Sequence, residues 1–146
     1  MKYPFINRNV SGIIIPVIIL LLFTITGCAK KMSFQQSTVV PAARGYVKIT
    51  KDGNKNYRIK LELSNLAEIN KLDPQKESYV VWMTSDNNST TNLGRISSSG
   101  SLLSKRLTVS FETVTATKPS LIFITAENES NTKYPTGTTV MTTGKF

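Results

Sequence analysis

Few side chains in this chain of 146 residues have the chemistry that catalysis usually requires. Histidine, the commonest general base, is absent, and the single cysteine, Cys28, cannot build a disulfide framework or a thiolate-rich zinc site. A glycosidase needs two carboxylates that converge on one cleft, whereas Glu127 and Glu129 lie two positions apart and no other acid is obviously paired with them. The serines have no histidine to activate them and no G-x-S-x-G turn. We therefore expect a protein that is not an enzyme, with no catalytic residue, no cofactor and no metal.

The first 27 residues have the features of a secretory signal peptide. Lys2 and Arg8 lie in an N-terminal stretch without acids, and residues 12 to 23 form an apolar run. This run is shorter than the roughly 20 residues that cross a bilayer, and Pro16 lies within it. The segment therefore favours a signal peptide over a membrane-spanning helix.

Small residues stand directly before the only cysteine, in the order Ile25-Thr26-Gly27-Cys28, and this pattern resembles the lipobox of bacterial lipoproteins. It departs from the usual pattern where Ile25 replaces leucine and Thr26 replaces alanine or serine. The resemblance implies a diacylglycerol on the Cys28 thiol, cleavage after Gly27, and an acyl chain such as palmitate on the new amino terminus. Ala29, in place of aspartate, implies the outer membrane by the sorting preference of enteric lipoproteins. We expect a lipid-anchored protein of the cell envelope.

Residues 28 to 44 are predicted to form an acylated tether, because they show no sustained hydrophobic period and contain Gln, Ser and Pro. Such a stretch reaches at most about 55 Å when extended, enough to hold a domain away from the headgroups. Lys30 and Lys31 at its membrane end could each contribute about 1 kcal/mol against anionic lipid, or could simply solubilise the tether.

The chain is basic, with 18 Lys and Arg against 9 Asp and Glu and a formal charge of +9. These basic residues are scattered, without the run of lysines and arginines interleaved with aromatics that single-stranded nucleic acid requires. We therefore expect no nucleic-acid partner.

A hydrophobic period of two dominates the sequence after residue 44. It is clearest where Tyr57, Ile59, Leu61 and Leu63 alternate with polar residues, and Asp52-Gly53 before it is a strong hairpin signal. Residues 65 to 72 could form one or two helical turns. We predict strands near residues 45–50, 56–63, 78–84, 92–97, 104–111, 120–127 and 138–144. Seven short strands with polar turns predict an all-β fold, an antiparallel β-sandwich of the immunoglobulin-like or Greek-key type over residues 45–146.

The predicted core of this sandwich includes Tyr57, Ile59, Leu61, Trp82, Val109, Phe111 and Phe123. Two aromatic residues have an alternative role at a ligand or partner interface. Trp82 lies in mid-strand, where tryptophan is usually a core anchor but could be a ligand platform. Tyr134 precedes Pro135-Thr136-Gly137 and is either part of a structural turn or an exposed aromatic lip.

The region from Tyr79 to Gly144 resembles the extracytoplasmic C-terminal domain of anti-sigma-K factors. The shared features, in order, are a "YxVW" strand, an "LG" strand, a hydrophobic strand ending in Glu and a "PTG" turn, found here as Tyr79-Val80-Val81-Trp82, Leu93-Gly94, Leu121 to Glu127 and Pro135-Thr136-Gly137. The resemblance implies a β-sandwich on the outer side of a membrane. The cytoplasmic sigma-binding segment and the transmembrane helix of that family have no counterpart here, so sigma-factor binding is not implied.

These patterns together predict an envelope lipoprotein that presents a non-catalytic β-sandwich as a binding module. Its partner could be an envelope protein or a glycan, and the polar run at residues 85 to 91 would suit sugar hydroxyls as well as it suits a solvated loop. The alternatives to an interaction module are a glycan-binding lipoprotein and a periplasmic hydrolase-type lipoprotein, the latter of which would need at least one positioned acid or base.

Overall fold

Two antiparallel sheets of four strands pack face to face in the computed structural model, which describes residues 29–96 and 107–146. The strands are β1 (Lys30–Ser33), β2 (Arg44–Lys51), β3 (Tyr57–Leu66), β4 (Ser78–Ser85), β5 (Thr90–Arg95), β6 (Leu107–Thr115), β7 (Pro119–Glu127) and β8 (Thr138–Thr142). Between β3 and β4 a single 3-10 turn spans Ile69–Lys71, where one or two helical turns were predicted. The prediction of an all-β antiparallel sandwich is confirmed, with β1 as an additional strand.

The first sheet has the strand order β1-β2-β3-β6, and the second sheet has the order β5-β4-β7-β8. The hairpin of β4 and β5 therefore lies in the second sheet, although β3 and β6 on either side of it in sequence are neighbours in the first sheet. This crossing of the chain between the sheets ties both halves of the sequence into one core.

The core lies between the sheets and is built by side chains that alternate along each strand. Ile59, Leu61 and Val109 are buried there as predicted, and Tyr57 and Phe111 pack against its margin while partly exposed. The other buried core side chains are those of Val47, Ile49, Leu63, Tyr79, Val81, Met83, Ile122, Ile124 and Met141, among others.

Trp82 and Phe123 depart from the predicted core. Trp82 is fully buried, but its neighbours Val81 and Met83 face the first sheet, so Trp82 lies on the outer face of the second sheet. Phe123 pairs directly with Trp82 across the strands and stacks on its ring at a centroid distance of 6.3 Å. β4 is therefore buried on both faces.

Residues 30 to 44 belong to the sandwich, which corrects the prediction that they form a free tether. β1 pairs with β2 from Lys30 opposite Ile49 to Ser33 opposite Tyr46. The chain then reaches the second sheet, where Phe34 forms a bridge to Thr143 and the Ser37 hydroxyl donates a hydrogen bond to the Val140 carbonyl. The domain therefore begins at Lys30 instead of Gly45, and β1 closes one side of the sandwich.

The sandwich has two ends, which we name the Lys30 end and the Glu127 end. The Lys30 end contains the start of β1, the hairpin turns between β2 and β3 and between β4 and β5, the turn before Pro119, and Phe146. The Glu127 end contains the last residue of β7 and the loop of residues 128 to 137, named here the 128–137 loop.

The predicted signal peptide and Cys28 lie outside the described residues. Between residues 29 and 96 and between 107 and 146, no helix has the length and hydropathy needed to cross a membrane.

Candidate functional site

A chain of hydrogen bonds holds the 128–137 loop against the second sheet. The indole N–H of Trp82 donates to the Thr125 hydroxyl at 2.8 Å, and that hydroxyl donates to Oε1 of Glu127 at 2.6 Å. From the loop, the Thr136 backbone N–H donates to Oε1 of Glu127 at 3.1 Å, and the Thr136 hydroxyl donates to Oε2 at 2.8 Å. Glu127 is therefore the point at which strand and loop are joined.

The Glu127 side chain is fully buried, and among the described residues no lysine or arginine forms a salt bridge with it. Burial by itself raises the pKa of this carboxyl. The hydrogen bonds from the Thr125 side chain, from the Gly137 backbone and from Thr136 outweigh that effect and leave the pKa below its usual value. Glu127 is therefore a buried carboxylate held by neutral donors, an arrangement that stabilises a loop.

Gly137 is required by the close approach of the loop to β7. A Cβ atom at this position would lie 1.9 Å from the Ala126 carbonyl oxygen and 2.9 Å from Oε2 of Glu127. The loop is also held at its other side, because the Asn92 side-chain amide donates to the carbonyls of Ser130 and Thr132 at 3.2 and 2.9 Å. The loop is thus attached to both β5 and β7.

Tyr134 lies on this supported loop, and 63% of its surface is exposed. The neighbouring Lys133 places its ammonium 5.6 Å from the Tyr134 ring centroid. Tyrosine on a rigid segment is favoured at protein interfaces, since it offers a large contact area at a small cost in conformational entropy. Tyr134 is therefore available for contact with a partner.

Trp82, the other residue considered for an interface, has no exposed surface. A ligand platform does not fit this burial, and the Trp82 side chain instead forms the base of the hydrogen-bond chain to Glu127. The structure also brings Trp82, Glu127, Thr136 and Gly137 together, although they are up to 55 positions apart in sequence.

Glu127 and Glu129 do not form a converging pair. Glu127 uses both oxygens in hydrogen bonds within the protein, whereas Glu129 is exposed two residues further on. The described residues also contain no group of three or more acidic or cysteine side chains placed to hold a metal ion.

The polar run at residues 85 to 91 is a tight hairpin turn and not an extended loop. The Ser85 backbone N–H donates to the Ser89 carbonyl, and the Asn87 side-chain oxygen accepts from the Ser85 hydroxyl and from the Ser89 N–H. These polar groups are thus occupied by the turn itself.

A pocket of about 190 Å³ opens at the Lys30 end, between the two sheets. Its apolar walls are Ile49, Tyr57, Pro119 and Phe146, and three lysines surround it, Lys30, Lys51 and Lys118. Lys118 forms a salt bridge with Asp86 at 2.8 Å, and its hydrogen bond to Asp86 raises the pKa of its ammonium. Among the described residues, Lys30 and Lys51 form no salt bridge, and each ammonium lies 5.4 Å from an aromatic ring centroid, of Phe146 and Tyr57 respectively.

The described residues at the two ends of the sandwich differ in formal charge. At the Lys30 end, residues 29–30, 51–57, 85–90, 115–119 and 143–146 contain five lysines and two aspartates. At the Glu127 end, residues 38–44, 64–78, 95–96 and 127–138 contain five basic and five acidic residues. These counts cover the described residues alone, and Lys105 and Arg106, between β5 and β6 in the sequence, are not among them.

Comparison of the chain with protein-family models, with curated proteins and with solved structures finds no match.

The pocket and the role of Glu127 were not predicted from the sequence. The residues that line the pocket come from five separate segments of the chain, so no local sequence motif predicts it. A signal for Glu127 did exist, because it ends a largely apolar and buried strand, where an acid is unusual and must find partners on folding.

Proposed function

We propose that this protein is an envelope lipoprotein, anchored through a diacylglycerol on Cys28 at the outer membrane, whose β-sandwich is a non-catalytic interaction module. The module is similar to the anti-sigma-K C-terminal domain. Its partner contacts the Glu127 end, around Tyr134, and is an envelope protein.

The observation that carries this proposal is the placement of the two ends. β1 begins two residues after Cys28 at one end of the sandwich, and the 128–137 loop is fixed at the other end. The nine residues of β7 separate these ends by about 30 Å. An anchor at Cys28 would thus direct the Tyr134 surface away from the lipid.

Metabolic labelling with palmitate tests the anchor. We expect the full chain to incorporate label and to fractionate with membranes, and the Cys28→Ala variant to lose both properties because the acceptor thiol is gone. Label and membrane association that persist in Cys28→Ala would show that the lipoprotein assignment is wrong.

Photo-crosslinking in intact cells tests the interaction surface. A photoreactive amino acid at position 134 should capture one defined envelope protein, whereas the same group at the exposed position 54, in the turn at the Lys30 end, should not. Equal capture from both positions, or capture of lipid alone from position 134, would contradict the proposed surface. Turnover of a glycan or peptide by the purified protein would contradict its non-catalytic nature.

A further inference from the structure

We propose that the pocket at the Lys30 end binds the phosphate headgroup of an anionic phospholipid in the membrane that carries the protein. This inference rests on the proposed anchor at Cys28 and adds a second, specific contact between the domain and the bilayer.

Two lysines of the pocket, Lys30 and Lys51, occupy positions on the core-facing side of the first sheet. Lys30 pairs with Ile49 and Lys51 pairs with Tyr57, and residues paired on neighbouring strands share one face of the sheet. Ile49 belongs to the core, so Lys30 and Lys51 start from the core-facing side of the first sheet, and their exposed side chains lie at the rim of the pocket. Among the described residues Lys30 and Lys51 form no salt bridge, so a bound anion would supply the opposing charge that they lack.

The shape of the pocket fits a headgroup. Its apolar walls, including the Tyr57 and Phe146 rings, can contact glycerol carbons while the lysines contact phosphate oxygens. Its volume of about 190 Å³ is below the range of about 300 to 1,000 Å³ that is typical of sites for drug-sized ligands. The pocket therefore accepts a headgroup, whereas the acyl chains stay in the bilayer.

The distance from the anchor brings the pocket to the headgroup layer. Two residues span at most about 7 Å, so Lys30 lies within that distance of Cys28 along the chain. The headgroup region on each side of the hydrocarbon core is about 5 to 8 Å thick. With acyl chains on Cys28, Lys30 thus lies in or beside this region, where a lysine is attracted to an anionic lipid surface.

Photolabelling by lipid tests this proposal. The acylated protein is purified, its intact mass establishes acylation, and it is reconstituted into vesicles that contain a phosphatidylglycerol with a photoreactive headgroup or the matching phosphatidylcholine. We expect labelling from phosphatidylglycerol at peptides that contain Lys51, Tyr57 and Lys118, and little labelling from phosphatidylcholine.

Paired substitutions provide the matched control. Lys51 lies over an aromatic ring and Lys118 forms a salt bridge. At the Glu127 end, Lys133 likewise lies over an aromatic ring and Lys71 forms a salt bridge. The double variant K51Q/K118Q should lose labelling by about fivefold for each lysine, whereas K133Q/K71Q should label as the unaltered protein does.

Three results would overturn the proposal: equal labelling from both lipids, equal loss in both double variants, or complete competition by inorganic phosphate, which would indicate a site for a soluble anion. Failure of the headgroup site can be distinguished from failure of the proposed anchor at Cys28. If the intact mass shows no acyl chain, the proposed function is wrong, and the same unacylated protein is then added to the vesicles. Labelling of the pocket would still support the headgroup site, and its absence would reject it.

Discussion

Glu127 determines how the 128–137 loop is held, since it is the one residue that joins the buried indole of Trp82 to the backbone of the loop. Its hydrogen-bond donors are neutral, so they stabilise the carboxylate form without an opposing charge. A substitution that removes this negative charge but keeps the shape of the side chain should therefore release the loop.

We expect Glu127→Gln to lower the free energy of unfolding by about 2 to 3 kcal/mol, because the amide N–H₂ would face hydrogen-bond donors that then lack an acceptor. Urea unfolding monitored by tryptophan fluorescence measures this change. Glu129→Gln, at an exposed position, is the control and should have little effect. Equal unfolding midpoints for the two variants would contradict the role assigned to Glu127.

The stability of the protein should also depend on pH through the ionisation of Glu127. The pKa of Glu127 is lower in the folded protein than its usual value of 4.5, so the folded state binds its proton less readily than the unfolded state. The stabilisation is therefore complete above about pH 4.5 and is lost as the pH falls through the folded pKa. Unfolding measured from pH 7 downwards should show the advantage of the unaltered protein over Glu127→Gln shrinking below pH 4.5, and a constant difference would contradict this linkage.

The 128–137 loop and β1 each depend on a small number of contacts for their positions. The 128–137 loop closes on β7 only because Gly137 has no side chain. β1 has four residues, and its attachment to the sandwich depends on the β2 ladder and on Phe34, which packs against the core.

We expect Gly137→Ala to lower the free energy of unfolding by about 1 to 3 kcal/mol, since the methyl group would overlap the Ala126 carbonyl and force loop and strand apart. Gly53→Ala is the matched control, because no atom lies within 4 Å of a Cβ at that position. Thermal unfolding of both variants measures the difference. A Gly137→Ala protein as stable as Gly53→Ala would show that the close contact is not maintained in solution.

The attachment of β1 can be tested with Phe34. Phe34→Ala should lower the free energy of unfolding by about 2 kcal/mol, less than for a fully buried phenylalanine because the ring is partly exposed. Val39→Ala, in the same segment but 36% exposed, should change it little. If residues 30 to 44 were a free tether, neither substitution would alter the urea midpoint.

At the scale of the whole molecule, the sequence predicted the sandwich because alternation with a period of two is a local signal, strong in residues 57 to 63. β1 was missed because Met32 and Phe34 alternate with Lys31 and Ser33 over too few residues, beside two adjacent lysines. The burial of Trp82 on the outer face of the second sheet could not be foreseen, since its partners Phe123 and Thr125 are more than 40 positions away in sequence. The basic pocket was equally hidden, because its lysines come from β1, β2 and the turn before β7 and meet only on folding.

The separation of only two residues between Cys28 and the start of β1 in the sequence has a mechanical consequence. A load applied between residue 28 and the 128–137 loop runs along β1, and the hydrogen bonds of an antiparallel pair lie perpendicular to the strands. The β1–β2 bonds and the Phe34–Thr143 bridge are then sheared together instead of being broken one after another. Single-molecule pulling between residue 28 and position 134 should require more force than pulling between residue 28 and Phe146, where both handles lie at the same end and β1 is peeled. Similar forces in both geometries would show that β1 bears no load. A higher force for the pair of residues 28 and 134 would show that this short edge strand limits the mechanical stability of the domain.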